Sequence, residues 1–405
     1  MKQNPDFTLI KLGSNYHIIP IGQALASNHR GIRITESGVH IWSLFTDDLT
    51  IDECIQRYIA ESEIPFEYIE NAKADARSFI DIMIKCNLII TSGTNNPSYS
   101  DRISGIDTFL HCNETLSSTI SIANINIGLY GPIDAIDDKL LSFESLSNII
   151  DQAVYIHLDN VNKEFDTYLQ SIKNLAPSIH NSTIDIYNFA DGLLFIFPST
   201  SLLDCMWIDS SYKKIHIVCN KKVHEISLLK DEIFHAFRMP FLMLARTNGL
   251  YAIHSASVLY QNKAILFSAL SGTGKSTQAK HWTNGLFATD INGDVNLIGM
   301  NGNIPTVYGI PWCGTSDIYT TESHELGHIV YIKRSTTNHV EYLDENEGLL
   351  TLSKRNITLM LTADHIHQFF SDMKQLCKKI SFCELHCTQE ADSQKVLQQF
   401  IDECP

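Results

Sequence analysis

Residues 264–276 read Ala-Ile-Leu-Phe-Ser-Ala-Leu-Ser-Gly-Thr-Gly-Lys-Ser, and this stretch decides the fold of the C-terminal half. Ala264–Ser268 is a largely apolar run of strand length, and Thr277–Trp282 has helical composition. Strand, glycine-rich turn, Lys-Ser and helix, in that order, form the context a phosphate-binding loop requires. Gly272 and Gly274 let backbone N–H groups turn inward around phosphate oxygens, and the N-terminus of the following helix adds partial positive charge. Ser271, Gly272, Thr273, Gly274, Lys275, Ser276 and Thr277 are therefore the expected nucleotide cradle. Lys275 can reach β- and γ-phosphates, and the Ser276 hydroxyl is placed to ligate Mg²⁺. Ala269 stands where such loops usually begin with Gly, a position that accepts a small residue.

Working outward, Leu250–Tyr260 and Ala264–Ser268 flank the turn Gln261-Asn262-Lys263, which predicts a β-hairpin and puts His254 on the strand beside the loop strand. Downstream, Phe287–Ile298 offers Asp290 and Asp294 as acidic partners for a metal. In Tyr308–Thr315, Trp312 and Cys313 read either as a ligand wall or as plain packing. Arg334 closes an apolar run, where a guanidinium can neutralise a phosphoryl group in transfer; Lys333 and Arg355 compete for that role. His324-Glu325-Leu326-Gly327-His328 spells HExxH, a zinc motif only on a long helix. Gly327 and the preceding Thr320-Thr321 argue against that helix. Ile380–Cys387, read as a strand, puts Cys383 and Cys387 on one face and His386 on the other, which favours packing over metal.

His254–Thr277, then Ile291–Val295, then Tyr308–Thr315 resemble the HPr serine kinase superfamily, related in fold to ATP-dependent phosphoenolpyruvate carboxykinase. The resemblance covers roughly residues 250–360. It implies an α/β P-loop domain using ATP and Mg²⁺. It also implies site roles for His254 on the strand, Lys275 and Ser276 in the loop, and Asp294 at a strand end. HPr kinases divide metal binding and proton abstraction between two adjacent aspartates. Gly293-Asp294 stands in their place here, which leaves the general base open between Asp294 and Asp290. Their glycine-rich capture loop is not evident, so HPr itself is not the expected substrate.

Residues 1–90 read as a small α+β unit. The runs Thr8–Leu12 and Tyr16–Ile21 form a hairpin about Gly13-Ser14-Asn15, and Gly31–Thr35 is a third strand. Helices are expected at Ser37–Phe45, from a Thr50…Glu53 capping box to about Ala60, and over Phe66–Cys86, before a closing strand Leu88–Ile90. Ile18–Gly22, Gly31–Thr35, Gly38, Ile41-Trp42, Leu44 and Thr50–Glu53 resemble PqqD, the winged-helix-like element of ribosomal peptide maturation. The resemblance implies that a leader peptide adds as a strand to Gly31, Ile32, Arg33, Ile34 and Thr35 and packs on the helix 66–86. The competing reading is a DNA-binding winged helix. Fused to a kinase-like domain, the unit resembles enzymes that phosphorylate precursor peptides in some lasso peptide pathways.

Residues 91–104 are a polar linker. Residues 105–250 carry strand-like runs (Thr119–Leu129, Val154–Leu158, Thr183–Tyr187, Leu193–Phe197, Lys214–Cys219) and a helix Asp231–Arg246, with no visible catalytic constellation. Residues 251–405 hold the P-loop core.

The chain has 405 residues, 44% of them apolar and 19% charged, a globular balance. Its net charge of −16 disfavours DNA, RNA and anionic membranes as partners but not a nucleotide carried with Mg²⁺. The ten cysteines are scattered without a CxxC pair, no secretory signal is evident at the start, and no apolar run is long enough to span a bilayer. A reduced, cytoplasmic protein is expected, with homo-oligomerisation open. The expected fold is thus an α+β PqqD-type domain followed by an α/β HPr kinase-like P-loop domain. The expected function is an ATP-dependent Ser/Thr kinase of a leader-bound precursor peptide. A small-molecule kinase with a regulatory N-terminal domain and a non-catalytic leader-peptide chaperone are the alternatives.

Overall fold

The computed structural model describes every residue except 92–101, 159–162, 221–225, 271, 287, 389–391 and 404–405. Most of the expected linker and Ser271 of the cradle therefore lie outside the described residues. The chain divides into two units. One comprises Met1–Ser98, Ser178–Ser182 and Met360–His367; the other comprises Tyr99–Pro177, Thr183–Leu359 and Gln368–Pro405.

In the first unit, β1 (Lys2–Gln3), β2 (Phe7–Leu12), β3 (Asn15–Pro20), α1 (Gly22–Ala26), β4 (Ile32–Ile34), α2 (Glu36–Leu44), α3 (Ile51–Glu61), α4 (Ile69–Lys85) and β5 (Ile89–Ile90) follow in order. Strands β2-β3-β4 form an antiparallel sheet with β4 at its edge, and β1 pairs with β5. Helix α2 starts where the Thr35 hydroxyl accepts the Gly38 N–H, and α3 where Thr50 and Glu53 close a capping box. The single helix expected over Phe66–Cys86 is instead a 3₁₀ turn, Phe66–Tyr68, leading into α4. Pro65 immediately before that turn fixes the entry of the chain. Ile18, Trp42, Phe45, Cys54, Ile80 and Met83 form the core.

The second unit begins with β6 (Leu116–Ile122), β7 (Ile125–Tyr130), α5 (Asp138–Leu141), β8 (Gln152–His157) and α6 (Lys163–Lys173). After β9 (Ile179–His180), which belongs to the first unit, come β10 (Asp185–Phe189), β11 (Gly192–Ile196), β12 (Leu203–Asp209), β13 (Lys214–Cys219) and α7 (Ile226–Thr247). These strands run in the order β6-β7-β8-β13-β12-β11-β10. The run Thr119–Leu129, expected as one strand, is a hairpin. Ala123 and Asn124 turn it with φ of +53° and +63°, the I′ geometry that suits a twisted hairpin. Strand β12 breaks the alternation rule because it lies inside the sheet, with Cys205, Met206, Trp207 and Ile208 all buried. Helix α7 begins ahead of the expected Asp231 and carries Pro240 within it.

The remainder is β14 (Tyr251–Tyr260), β15 (Lys263–Ser268), α8 (Lys275–Gly285), β16 (Thr289–Asn292), β17 (Val295–Asn301), β18 (Ile304–Tyr308), β19 (His324–Arg334), β20 (His339–Leu343), α9 (Glu345–Ser353), α10 (Ala363–Cys377), β21 (Ser381–Cys387) and α11 (Ser393–Glu403). Its strands run β15-β14-β17-β18-β19-β21-β20, with β16 added to β14. Strand β15 also pairs in parallel with β19, so the path from β15 through β14, β17 and β18 returns to its start. The architecture is mixed α/β with large mixed sheets. His324 and His328 lie in strand β19, where a separation of four residues spans about 13 Å, so the HExxH match has no zincin geometry. The nine cysteines among the described residues are all free thiols. Among the described residues no helix is long and apolar enough to cross a membrane.

Candidate phosphate-binding and phosphoryl-transfer site

The expected hairpin is present: β14 and β15 pair antiparallel from Ser255↔Ser268 to Tyr260↔Lys263, about a turn with positive φ at Gln261 and Asn262. Strand β15 ends at Ser268, and the chain re-enters helical geometry at Lys275, the first residue of α8. Between them Gly272 and Gly274 adopt φ of +71° and +121°, conformations an L-residue rarely takes, with nothing near the side a Cβ would occupy. No side chain caps α8, so its first amides remain available. Ser276 and Thr277 are exposed at this end, while Lys275 is half-buried.

The registry of β14 brings His254 to the loop. Its Nε2 lies 2.7 Å from Nζ of Lys275 and 3.8 Å from Oδ1 of Asp294. Asp294 sits in the turn between β16 and β17. There its N–H donates to Oδ1 of Asn292 at 3.0 Å, and its carbonyl accepts the Ser255 N–H. Asn292 Nδ2 in turn donates to the Trp312 carbonyl at 3.1 Å, which fixes the turn to the segment beyond β18. Gly314, with φ of +60°, faces the carboxylate so closely that a Cβ there would lie 2.7 Å from Oδ2.

Burial and the Lys275 charge both hold the His254 imidazolium pKa below its ordinary value, against the pull of Asp294. Burial, reinforced by Arg355, lowers Lys275 too, and Asp294 opposes the shift. Both shifts disfavour charge on the two nitrogens that face each other across this contact. Arg334 ends β19 beside the loop, and its guanidinium donates to the Gly272 carbonyl. Arg355 offers its carbonyl to the His254 N–H at 2.9 Å.

The structure therefore brings together His254, Lys275, Asp294 and the loop, with Arg334 on the loop backbone. Asp290 stands apart. It lies on β16 opposite Val258, burial raises its pKa, and the charge acting on it is that of Lys280. Among the described residues no hydrogen bond or ion pair links it to His254, Lys275 or Asp294. Trp312 is core rather than a ligand wall: it is buried among Phe234, Phe237 and Phe241 and donates Nε1–H to the Phe234 carbonyl at 2.9 Å.

Two cations come from the region that showed no constellation in sequence. Arg238, on α7, feels the Asp294 charge while burial lowers its pKa. Lys139, on α5, pairs with Asp317 at 2.5 Å and stands 3.9 Å from Sγ of Cys313. The available signal for Arg238 was a lone charge inside the apolar run FHAFRMPF. A cavity of about 450 Å³ elsewhere in the unit, lined by Asn124, Lys213, Asn248 and Asn301 among others, holds none of these residues.

No family model and no curated protein matches the chain. Among solved structures, the HPr(Ser) kinase/phosphatase from Coxiella burnetii matches over 38% of this chain and 97% of its own length, at 9% identity and a TM-score of 0.22.

Proposed function

We propose that this protein is an ATP-dependent kinase that captures a precursor peptide with its N-terminal unit and phosphorylates a Ser or Thr hydroxyl on it. The observation that carries the kinase reading is the convergence of Lys275, His254 and Asp294 at the mouth of an uncapped, glycine-hinged loop. The amides of residues 272–277 and the Lys275 ammonium hold the phosphates. Ser276 and Asp294 supply the oxygen donors that Mg²⁺ takes, and Gly314 leaves room beside that carboxylate. When bound, the ion neutralises phosphate charge. In the transfer the substrate hydroxyl oxygen bonds to the γ-phosphorus, the bond from that phosphorus to the β–γ bridging oxygen breaks, and ADP leaves. The hydroxyl proton passes to the Asp294 carboxylate. Arg238 and Arg355 add positive charge around that centre.

The peptide reading is supported by β4. It is an edge strand whose Ile32, Arg33 and Ile34 pair only on the β3 side among the described residues. A groove of about 430 Å³, lined by Tyr16, Arg33, Ile34, Thr35 and Glu36, runs beside it. An extended peptide adding there gains main-chain hydrogen bonds. Phe66 and Tyr68, exposed ahead of α4, add apolar surface.

The test is the intact mass of short peptides encoded beside this gene, after incubation with the full chain and ATP·Mg. A gain of about 80 mass units, lost with Asp294→Asn, is the expected result. Tight nucleotide binding without any such gain would shift the reading to a small-molecule kinase. Failure to bind ATP·Mg in calorimetry would falsify the kinase itself.

A further inference from the structure

A second polar cluster lies at the far edge of the same sheet and takes no part in the site described. Strands β20 and β21 pair antiparallel with His339 opposite His386 and Glu341 opposite Glu384. Residues two apart on a strand share a face, so this register sets all four side chains on one surface. The imidazole rings stack with centroids 4.4 Å apart and planes 12° apart. Three contacts then recur at one spacing. His339 Nε2 is 3.5 Å from Oε1 of Glu341, and His386 Nε2 is 3.5 Å from both Oε2 of Glu341 and Oε2 of Glu384. One ligand atom each from His339, Glu341 and His386 falls within 4.8 Å of the others.

We propose that His339, Glu341 and His386 bind a zinc-like divalent transition-metal ion that clips the edge strand β20 onto β21, with Glu384 beside them. Four ligands at 2.0–2.1 Å from zinc lie about 3.3 Å from one another, close to the spacing found here before any ion draws them in. The second observation is the state of His386. Its Nε2 is shielded from solvent and makes no hydrogen bond, although two carboxylate oxygens stand near it. A buried imidazole nitrogen without a partner is costly, and a metal supplies the partner. The donor set also chooses among ions. Two imidazoles and a carboxylate suit Zn²⁺, Co²⁺ or Ni²⁺, whereas Mg²⁺ and Ca²⁺ take oxygen alone.

Lys333, on the neighbouring strand β19 and paired in register with His386, holds Oε2 of Glu384 at 2.5 Å. That contact holds Glu384 beside the ligand atoms. It leaves the fourth coordination position to Glu384 or to water. Cys383 and Cys387 point to the opposite, buried face of β21 and do not contribute. The site is independent of the kinase reading, because it uses no residue of the phosphate loop and no nucleotide.

The experiment is a competition for Zn²⁺ between the full chain and a chromophoric chelator, with Co²⁺ as the spectroscopic probe. One equivalent of Zn²⁺ per chain is expected, together with visible Co²⁺ absorption of the intensity that four-coordinate nitrogen and oxygen ligation produces. His339→Gln with His386→Gln should weaken Zn²⁺ at least 100-fold and abolish that absorption. Both variants keep polar side chains, and matching circular dichroism and ATP·Mg binding establish that the fold is intact. Zn²⁺ should raise the melting temperature of the native chain and not of the double variant. Undiminished Zn²⁺ affinity in the folded double variant would place the metal elsewhere, on the free thiols for example, and overturn the proposal. Absence of Zn²⁺ binding by the native chain would reduce the cluster to a polar cross-strand ladder and overturn it equally.

Discussion

The two sheets of the larger unit use their residues in opposite ways. The sheet built from β6 to β13 spends its strands on core: Ile127, Val154, Leu194, Trp207 and Ile217 are buried, and the charge this region brings to the site, Arg238, is carried on helix α7. The sheet built from β14 to β21 carries chemistry on and between its strands, with His254 on β14, Asp294 after β16 and Arg334 at the end of β19. The contrast follows from connectivity. In the second sheet β15 is followed at once by a glycine turn and a helix, which sets the loop and the uncapped start of α8 at the end of the strand. In the first, the hairpin at Ala123–Asn124 and the antiparallel run β10-β11-β12-β13 join strand directly to strand, with no glycine-rich turn leading into a helix there.

The largest effect that can break this contrast is on activity. Lys275→Ala should slow phosphoryl transfer about 10³-fold while leaving thermal unfolding unchanged, because it removes a half-exposed cation and no core. Steady-state kinetics beside calorimetric melting checks both halves. Next, Trp207→Ala should cost about 3 kcal/mol of stability in urea unfolding and leave the KM of the remaining folded enzyme unaltered. A large change in KM would show that the first sheet shapes the site directly.

Acid sharpens the comparison, because it strikes both sheets. Burial pushes His216, in the first sheet, down to about 3 and His328, in the second, down to about 4. An unfolded histidine titrates near 6.5, so below that pH the unfolded chain takes up protons that the folded chain refuses. The contribution is complete above pH 6.5 and is lost as the pH falls toward the folded values. About 2 kcal/mol per group should disappear between pH 7 and pH 5. His328→Gln should flatten its share, measured by urea unfolding at the two pH values. The smallest effect on stability, about 1 kcal/mol, is expected from Gly314→Ala, whose left-handed backbone disfavours a Cβ. That added carbon also displaces the Asp294 carboxylate, so this substitution should lower turnover about tenfold, moving stability and activity together.

The loop, its hairpin and His254 are legible in the sequence because each depends on residues within a few positions: an apolar run, a Gln-Asn turn, two glycines. The capped starts of α2 and α3 are legible for the same reason. The Ala123-Asn124 turn is hidden because it lacks glycine, and β12 because burial on both faces erases its alternation. Arg238 acts on His254 and Asp294 through tertiary packing, which no local pattern records. The pairing of His339 with His386 is likewise a matter of register between distant strands. The split of β21, with Cys383 and Cys387 on its buried face and His386 on the other, is legible from strand alternation alone, whereas the partners His386 meets there are not.

The charges around Lys275 have a consequence for encounter rates. Lys275, Arg238 and Arg355 gather around His254 and Asp294, and Arg334 lies on the loop backbone, in a chain whose net charge is −16. An anion arriving from bulk water is therefore repelled at long range and attracted only within the last Debye length, about 8 Å at physiological salt. Added salt screens the first force before the second, so moderate ionic strength should speed the association of a nucleotide with this protein. A uniformly basic pocket would show the opposite slope.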